Sequence, residues 1–406
     1  MKKIPFQVSG LLVLNGISIL GNSITEIAIP WLILEISGSP LLVATVMSAK
    51  ILPVILSMFF SSPIVDKYGA FQISVFSDLV NFLSVLLIPI FYTIGIMDFY
   101  LLAILLIFAT IFDAPGRLAK DIMLAKEIKN NENELINGIN STIENICDLT
   151  GPIFGALVIS VLGTINALYF DAASFLIVAL GIVILRKYFI SDVSKVYKSP
   201  SQPFNYFFES IKYIKSEKEI FSVLIISSIV NLVITPFLLI YLPYVNKQAF
   251  NSILSLGISM MSFGFGTSLS SLLYGIFGKY FSKHQIIITG YTLLILCFLS
   301  LSLIHSQYIF FLQLFVIGCC IGFAGPVEIT MIQQQVPENL FGRIMTLFTS
   351  TRFLSVPIGY IFFGTILESN ISQKTPLIMA GTILCGLLIY FCLLSVHFNK
   401  LNKNLK

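Results

Sequence analysis

Charge is what this sequence has least of. Asp, Glu, Lys and Arg together make up 11% of 406 residues, whereas 56% are hydrophobic. A soluble chain carries about a quarter charged residues, so too few are present here to solvate a surface, and lipid is the natural solvent for most of the chain. Histidine is scarce as well: His284, His305 and His397 are scattered. The six cysteines (Cys147, Cys297, Cys319, Cys320, Cys385 and Cys392) lie in apolar stretches with no metal-ligand spacing. That pattern reads as buried, reduced thiols and argues against a metal centre. There is no G-x-x-x-x-G-K-[ST], no H-E-x-x-H, and no loop long enough for an ATPase domain. These absences argue against a primary pump, a membrane-embedded enzyme and a bound cofactor.

What is present is a succession of apolar runs. A helix needs roughly 20 apolar residues to cross a bilayer, and the runs at 8–34, 41–62, 73–95, 99–117, 136–162, 167–186, 220–243, 253–277, 285–304, 308–331, 344–366 and 376–396 each qualify. Their lengths and internal Gly and Pro predict helices rather than barrel strands of about ten alternating residues. The first run is too long for a signal peptide and reads as a retained span. Lys and Arg fix the orientation. With the N-terminus inside, only Lys247 and Lys374 of the 24 fall in outside loops, and only Lys50 and Arg352 within spans. This bias predicts a multi-pass protein of the cell membrane with both termini cytoplasmic. The net charge of +4 is then a topological signal and no sign of nucleic-acid binding.

The spans form two similar sets. Ser62-x-x-x-Asp66-Lys67-Tyr68-Gly69 after the second span corresponds to Gly275-x-x-x-Lys279-Tyr280 after the eighth. Pro115 in the fourth corresponds to Pro326 in the tenth, and Gly151-Pro152 in the fifth to Pro357-Ile358-Gly359 in the eleventh. The order and the similar offsets predict an all-α protein of twelve transmembrane helices in two pseudo-symmetric six-helix bundles, at 1–187 and 220–406. A cytoplasmic linker at 188–219 joins them, and its stretch 204–215 has the aromatic and basic spacing of an amphipathic helix lying on the membrane. Two bundles around a midplane site are the architecture of a carrier working by alternating access.

The residues resemble the major facilitator superfamily. Asp66, Lys67 and Gly69 match its loop signature G-x-x-x-D-[RK]-x-G. Gly138, Gly151, Pro152 and Gly155 match its antiporter motif in the fifth span, with Cys147 and Ala156 where glycines are usual. The stretches Leu168–Phe175, Phe208–Ile214 and Gln335–Arg343 narrow the similarity to the macrolide-efflux branch of drug:proton antiporters. The similarity implies the major facilitator fold, export of small and mostly hydrophobic compounds, protons as the coupling ion, a monomer in the lipid bilayer, and a gating role for Asp66. A facilitator for another solute (a siderophore, metabolite or lipid-like compound) is the alternative, with a transport-dead scaffold or receptor behind it. The sequence departs from the pattern at Ser62 for the first motif glycine, at Ala70-Phe71-Gln72 where basic residues are usual, and at Leu106 where an arginine of the fourth span is expected.

Charges inside the spans are the candidate pathway residues. Glu26 and Lys50 lie equally far from a turn near Gly38, so a helical hairpin brings them to one depth. An isolated charge at the bilayer centre costs about 2.5–3.5 kcal/mol on insertion scales, so both are expected to face a polar pathway, with Glu26 able to take up a proton or cation. A structural ion pair is the other reading. Glu144 and Asp148, four apart on one helix face, suit proton exchange or a hydrated mouth. Arg352 is placed to attract an anionic group or to pair with Asp148 or Glu328. Asp78, Asn81 and Asp113 share the ambiguity of Glu144 and Asp148, and Asp171 is expected to act as a helix-start residue.

Overall fold

The computed structural model describes residues 5–127, 133–189, 212–303, 306–369 and 374–404. The described residues are almost entirely helical, and they contain eleven helices long and apolar enough to cross a membrane. A twelfth, shorter apolar stretch, Thr375–Ile389, opens the last helix. The chain forms two compact units, Met1–Ser201 with Asn251–Gly257, and Gln202–Phe250 with Ile258–Lys406. Most of the stretch expected to be an amphipathic linker helix lies outside the described residues.

In the first unit, helix breaks follow from Gly and Pro. Helix α1 (Phe6–Ser37) ends where Gly38 turns left-handed at φ 68° and its N–H caps the Leu34 carbonyl. Ser39 then caps α2 (Pro40–Ala49), accepting from the Leu42 N–H at 3.2 Å, with Pro40 in the first turn. The second span pauses at Lys50 before α3 (Ile51–Tyr68). Pro53 has no N–H for the Ala49 carbonyl and its ring crowds that oxygen, which accounts for the pause. Gly69, at φ 88° and ψ 144°, connects α3 directly to α4 (Ala70–Ile94). The same proline logic divides the fourth span, with Pro115 placed just after the break at Phe112 between α5 (Phe99–Ile111) and α6 (Asp113–Glu127). Helix α7 (Asn133–Leu162) turns at Gly163 into α8 (Thr164–Leu185).

Two expectations change here. The fourth span does not stop near residue 117: the helical rod runs Phe99–Glu127, with an apolar first segment and an amphipathic second one. Arg117 and Lys120, read from sequence as loop charges, therefore belong to the helical bundle. And α8 begins at Thr164, so Asp171 lies two turns inside the helix, fully buried, rather than at its start. The physical reason is Gly163, whose φ of 81° sets the turn earlier than hydropathy alone indicates.

The bundle closes by small residues and by polar bonds between helices. A methyl group added at Gly151 would collide with the Ser23 side chain, and one at Gly155 would lie 3.0 Å from the Ser23 carbonyl and 3.2 Å from the Ile24 Cα. Helices α1 and α7 thus touch almost backbone to backbone, the close approach that small residues allow in membranes. Between α4 and α6, Lys120 Nζ meets Asp78 Oδ1 at 2.8 Å, with the Asp78 side chain only 2% exposed.

The second unit repeats the scheme. Its first helix, α9 (Lys218–Pro236), continues through π-helical turns at Phe237–Tyr241 and Asn246–Phe250 around a short α10 (Leu242–Val245). It is followed by α11 (Ile253–Phe277), α12 (Lys283–Leu301), α13 (Gln307–Gln335), α14 (Glu338–Glu368) and α15 (Thr375–Asn404). Its fifth long helix, α14, carries Gly359, where an added methyl would strike the Leu232 carbonyl and lie 2.6 Å from Pro236 Cγ of α9. Fifth helix against first, at a glycine beside a proline, is the same contact as Gly155 against α1. In each unit the bundle is pseudo-equivalent at the landmark read from sequence.

Two stability outcomes follow. Lys120→Met should cost about 3–5 kcal/mol, because it leaves Asp78 charged and buried without its cation; adding Asp78→Asn should restore most of the loss, read as the thermal unfolding midpoint in detergent. Gly69→Ala should cost about 1–3 kcal/mol, the range for a side chain forced into a glycine-only backbone region, on the same assay.

Candidate functional site

Three helices of the first unit each carry a polar stripe at helical spacing, and the three stripes meet. On α1 the stripe is Asn15, Asn22 and Glu26; on α6 it is Asp113, Arg117 and Asp121; on α7 it is Asn140, Glu144 and Asp148. Residues three or four apart share a helix face, so each stripe is one face. Together with Lys50 at the α2–α3 break, Asn81 of α4 and Asp171 of α8, they line a cavity of about 420 Å³. Its charge is one-sided: six carboxylates (Glu26, Asp113, Asp121, Glu144, Asp148 and Asp171) face two cations, Lys50 and Arg117.

The carboxylates are held to different degrees. Glu144 is the best fixed: its Oε1 accepts from Asn15 Nδ2 at 3.3 Å and from Asn140 Nδ2 at 2.9 Å. The two amides are themselves bonded at 3.0 Å, which ties α1 to α7. Asp113 Oδ1 accepts from Asn81 Nδ2 at 2.6 Å. Asp171 accepts from Thr25 Oγ1 and, at 3.2 Å, from Ser174 Oγ. It reaches α1 because Gly21 leaves room: a methyl there would lie 2.6 Å from Asp171 Oδ1. Asp171 is therefore a buried wall residue of the cavity.

Glu26 differs from these. Its side chain is exposed to the cavity, and among the described residues no hydrogen bond or ion pair within 4 Å engages it. Lys50 and Arg117 are the cations whose fields reach it, opposed by Asp148 and Asp113. The hairpin does bring Glu26 and Lys50 to the walls of one cavity, but as electrostatic neighbours and not as a closed ion pair. Lys50 owes its place to the helix break, which turns it toward the cavity.

A smaller polar chamber of about 50 Å³ adjoins this cavity and shares Asn15, Asn81, Asp113 and Arg117 with it. The chamber leads to Asp78 and Lys120. Asp78 Oδ2 and Asn81 Oδ1 are buried and accept no hydrogen bond from the protein. A polar space of this size accommodates a water molecule or two.

In the second unit, Arg352 does not close an ion pair with Glu328. Its guanidinium lies 5.7 Å from the Phe348 ring centroid, and its carbonyl accepts from Asn231 Nδ2 at 2.9 Å. Glu328, buried on α13, instead accepts from Tyr291 Oη and from Ser227 Oγ, each at 2.7 Å, with the Arg352 field acting on it from further away. Of the motif residues, Asp66 accepts from Ser62 Oγ at 3.3 Å and Lys67 Nζ lies 4.9 Å from the Tyr68 ring centroid. Gly151 and Gly155 make the α1–α7 approach, Pro152 lies within that helix, and a methyl at Gly138 would meet open space.

Sequence reasoning missed Asn15, Asn22, Asn140, Arg117 and Asp121 as site residues. Asn22, Asn140 and Arg117 each lie four residues from an acid already singled out, whereas Asn15 and Asp121 lie two or more turns away from one. Leu106, where an arginine is expected, stays apolar, and the cation this span brings to the cavity is Arg117. Both residues line the cavity, and the fourth span brings its cation about three turns further along than expected.

Comparison with known proteins agrees with this architecture. The chain is 24% identical over 376 residues to the multidrug efflux pump Tap of Mycolicibacterium fortuitum, covering 89% of this chain and 91% of the relative. It is 22% identical over 378 residues to macrolide efflux protein A of Streptococcus pyogenes, covering 91% of each. Among solved structures, the nucleoside transporter NupG superposes with a TM-score of 0.76 over 95% of this chain and 98% of its own, at 12% identity, a likeness of fold. The profile described as Major Facilitator Superfamily matches residues 11–360. A membrane-spanning chain of two six-helix sets, matched by that profile over most of its length, belongs to the Major Facilitator Superfamily of transporters.

Proposed function

We propose that this transporter exports small, largely hydrophobic compounds that carry a positive charge, macrolide- or drug-like in kind, by exchange for protons. The observation that carries this reading is the excess of carboxylates over cations in the cavity of the first unit. Acids crowded into a medium of low dielectric repel one another and favour taking up protons. A positively charged amine supplies the same neutralisation. Protons and an organic cation therefore compete for one set of carboxylates, and competition for a shared site is the elementary form of antiport. The names of the two efflux relatives support the direction of transport and the drug-like class.

The residues divide the work by their bonding. Glu26, exposed to the cavity and without a hydrogen bond, is the exchanging carboxylate. Asp148, also exposed to the cavity, is a second landing point for cationic charge. Glu144, fixed by two amides, holds the α1–α7 wall and biases the field. Lys50 limits how much negative charge accumulates, so that the loaded cation can leave. Arg352 serves the pathway of the second unit, near the buried Glu328. Asp66, Lys67 and Gly69 form the gating loop. The two units at 1–187 and 220–406, joined by 188–219, move as rigid bundles in alternating access, with both termini in the cytoplasm and the chain working as a monomer.

The test is drug accumulation in cells lacking their own pumps, with and without an uncoupler. Expression should lower accumulation of a cationic macrolide, and the uncoupler should abolish the difference. Glu26→Gln should cut export of the cationic compound about tenfold or more, the loss of one charge-assisted contact. It should also flatten the dependence of export on external pH. Accumulation indifferent to expression would remove the export reading. Export that survives both the uncoupler and Glu26→Gln with its pH profile intact would remove proton exchange at this site.

A further inference from the structure

A second sizeable cavity among the described residues is apolar rather than charged. It lies in the second unit, where α11, α12 and α13 diverge near the turn between α11 and α12, and it measures about 520 Å³. Its walls are almost wholly apolar, formed by Leu273, Tyr274, Phe277, Phe281, Leu293 and Phe323, with Cys319 and Cys320 at its floor. Three of these side chains are turned outward: Phe277 is 50%, Phe281 61% and Leu293 46% exposed. Leu293 sits within the membrane-spanning α12 and meets hydrocarbon outside the protein, whereas Phe277 closes α11 and Phe281 lies in the turn that follows, at the interfacial end of the crevice. Gly290 keeps part of the crevice wall open. A methyl at Gly290 would find only the Cys320 carbonyl, 3.7 Å away, so the space beyond it is open.

Two lysines stand at the rim, and Glu219 of α9 lies 3.9 Å from His284 beside them. Lys279, exposed, follows Gly278 of the wall, and Lys283 lies between wall residues Phe281 and Ile286. The Lys279 ammonium sits 5.0 Å from the Tyr280 ring centroid, at the end of the span where headgroups lie. Lys283 bonds to Gln334 Oε1 at the end of α13. No acidic side chain forms part of the crevice walls. An apolar slot open to hydrocarbon with basic side chains at its interfacial end matches one amphiphile by both its parts. The acyl chain fills the slot and the anionic headgroup meets the lysines.

We propose that this crevice is a binding site for an anionic phospholipid, with one acyl chain between α11, α12 and α13 and its phosphate at Lys279 and Lys283. The site stands apart from the charged cavity of the first unit and does not rest on the export reading. A cavity of this volume is in the range that holds a discrete ligand, and bundles carrying basic pockets between membrane helices recognise anionic headgroups in this way. The bound chain props the three helices apart at the end where α13 carries Thr330 and Gln334.

The test uses the full chain in nanodiscs of phosphatidylcholine, doped with phosphatidylglycerol or phosphatidylcholine bearing a diazirine on the acyl chain. After illumination, adducts are mapped by peptide mass spectrometry. Adducts should concentrate in 273–293 and 319–323, with phosphatidylglycerol labelling about fivefold more than phosphatidylcholine. Lys279→Gln should erase most of that preference without changing the thermal midpoint. Gly290→Leu should abolish the adducts by filling the slot. Alkylating the half-buried Cys319 of the unmodified sequence with a lipid-soluble maleimide should do the same should the Gly290 variant not fold. Adducts spread evenly over the lipid-facing helices, or equal labelling by the two lipids, would overturn the proposal.

Discussion

The cost of placing charge in hydrocarbon governs this molecule. A chain with so few charged residues has none to spare inside its spans, yet the first unit gathers eight ionisable groups around one cavity. Each would be expensive alone at that depth. What makes them tolerable is mutual: an amide pair fixes Glu144, Asn81 fixes Asp113, two hydroxyls fix Asp171, and Lys120 neutralises Asp78. The groups left without such partners, above all Glu26, are therefore the ones available to something that arrives from outside. In the function proposed above, satisfied acids build the wall and unsatisfied ones receive the cargo.

The close packing of α1 against α7 serves the same constraint. Gly151 and Gly155 bring the two backbones together, and that approach is what lets Asn15 reach both Asn140 and Glu144. A bulkier seam would hold the amides apart and leave Glu144 without its donors. The motif glycines thus act on the site through spacing, with no contact to the cavity of their own. In the second unit the same seam recurs at Gly359, but the polar centre is smaller: a single buried carboxylate, Glu328, satisfied by Tyr291 and Ser227. The two units share a scaffold and divide the chemistry unequally.

The helix breaks matter as much as the helices. Lys50 and Asp113 both sit at interruptions caused by a proline a few residues downstream. A break frees carbonyl groups and turns the neighbouring side chain off the regular helical face, so prolines that weaken the spans as helices also place two of the charges in the cavity. The apolar crevice of the second unit is likewise kept open at Gly290, where a larger side chain would enter the space.

The sequence alone determined the spans, the twofold organisation and the family, because each rests on local composition: long apolar runs, Lys and Arg gathered mostly toward one side of the spans, and short motifs such as Asp66-Lys67-Tyr68-Gly69. It also marked Glu26, Lys50, Glu144 and Asp148, since a charge in an apolar run is conspicuous without any fold. It did not mark Asn15, Asn140, Arg117 or Asp121, and it misplaced Asp171. A neutral amide in a helix carries no cost signal in one dimension, and a charge near a span end looks solvated until the helix is seen to continue, as the rod through Glu127 does. Which acids are bonded and which are open is a matter of distances between helices far apart in sequence. Only the tertiary packing sets those distances, because the polar bonds form across the helices and not along them.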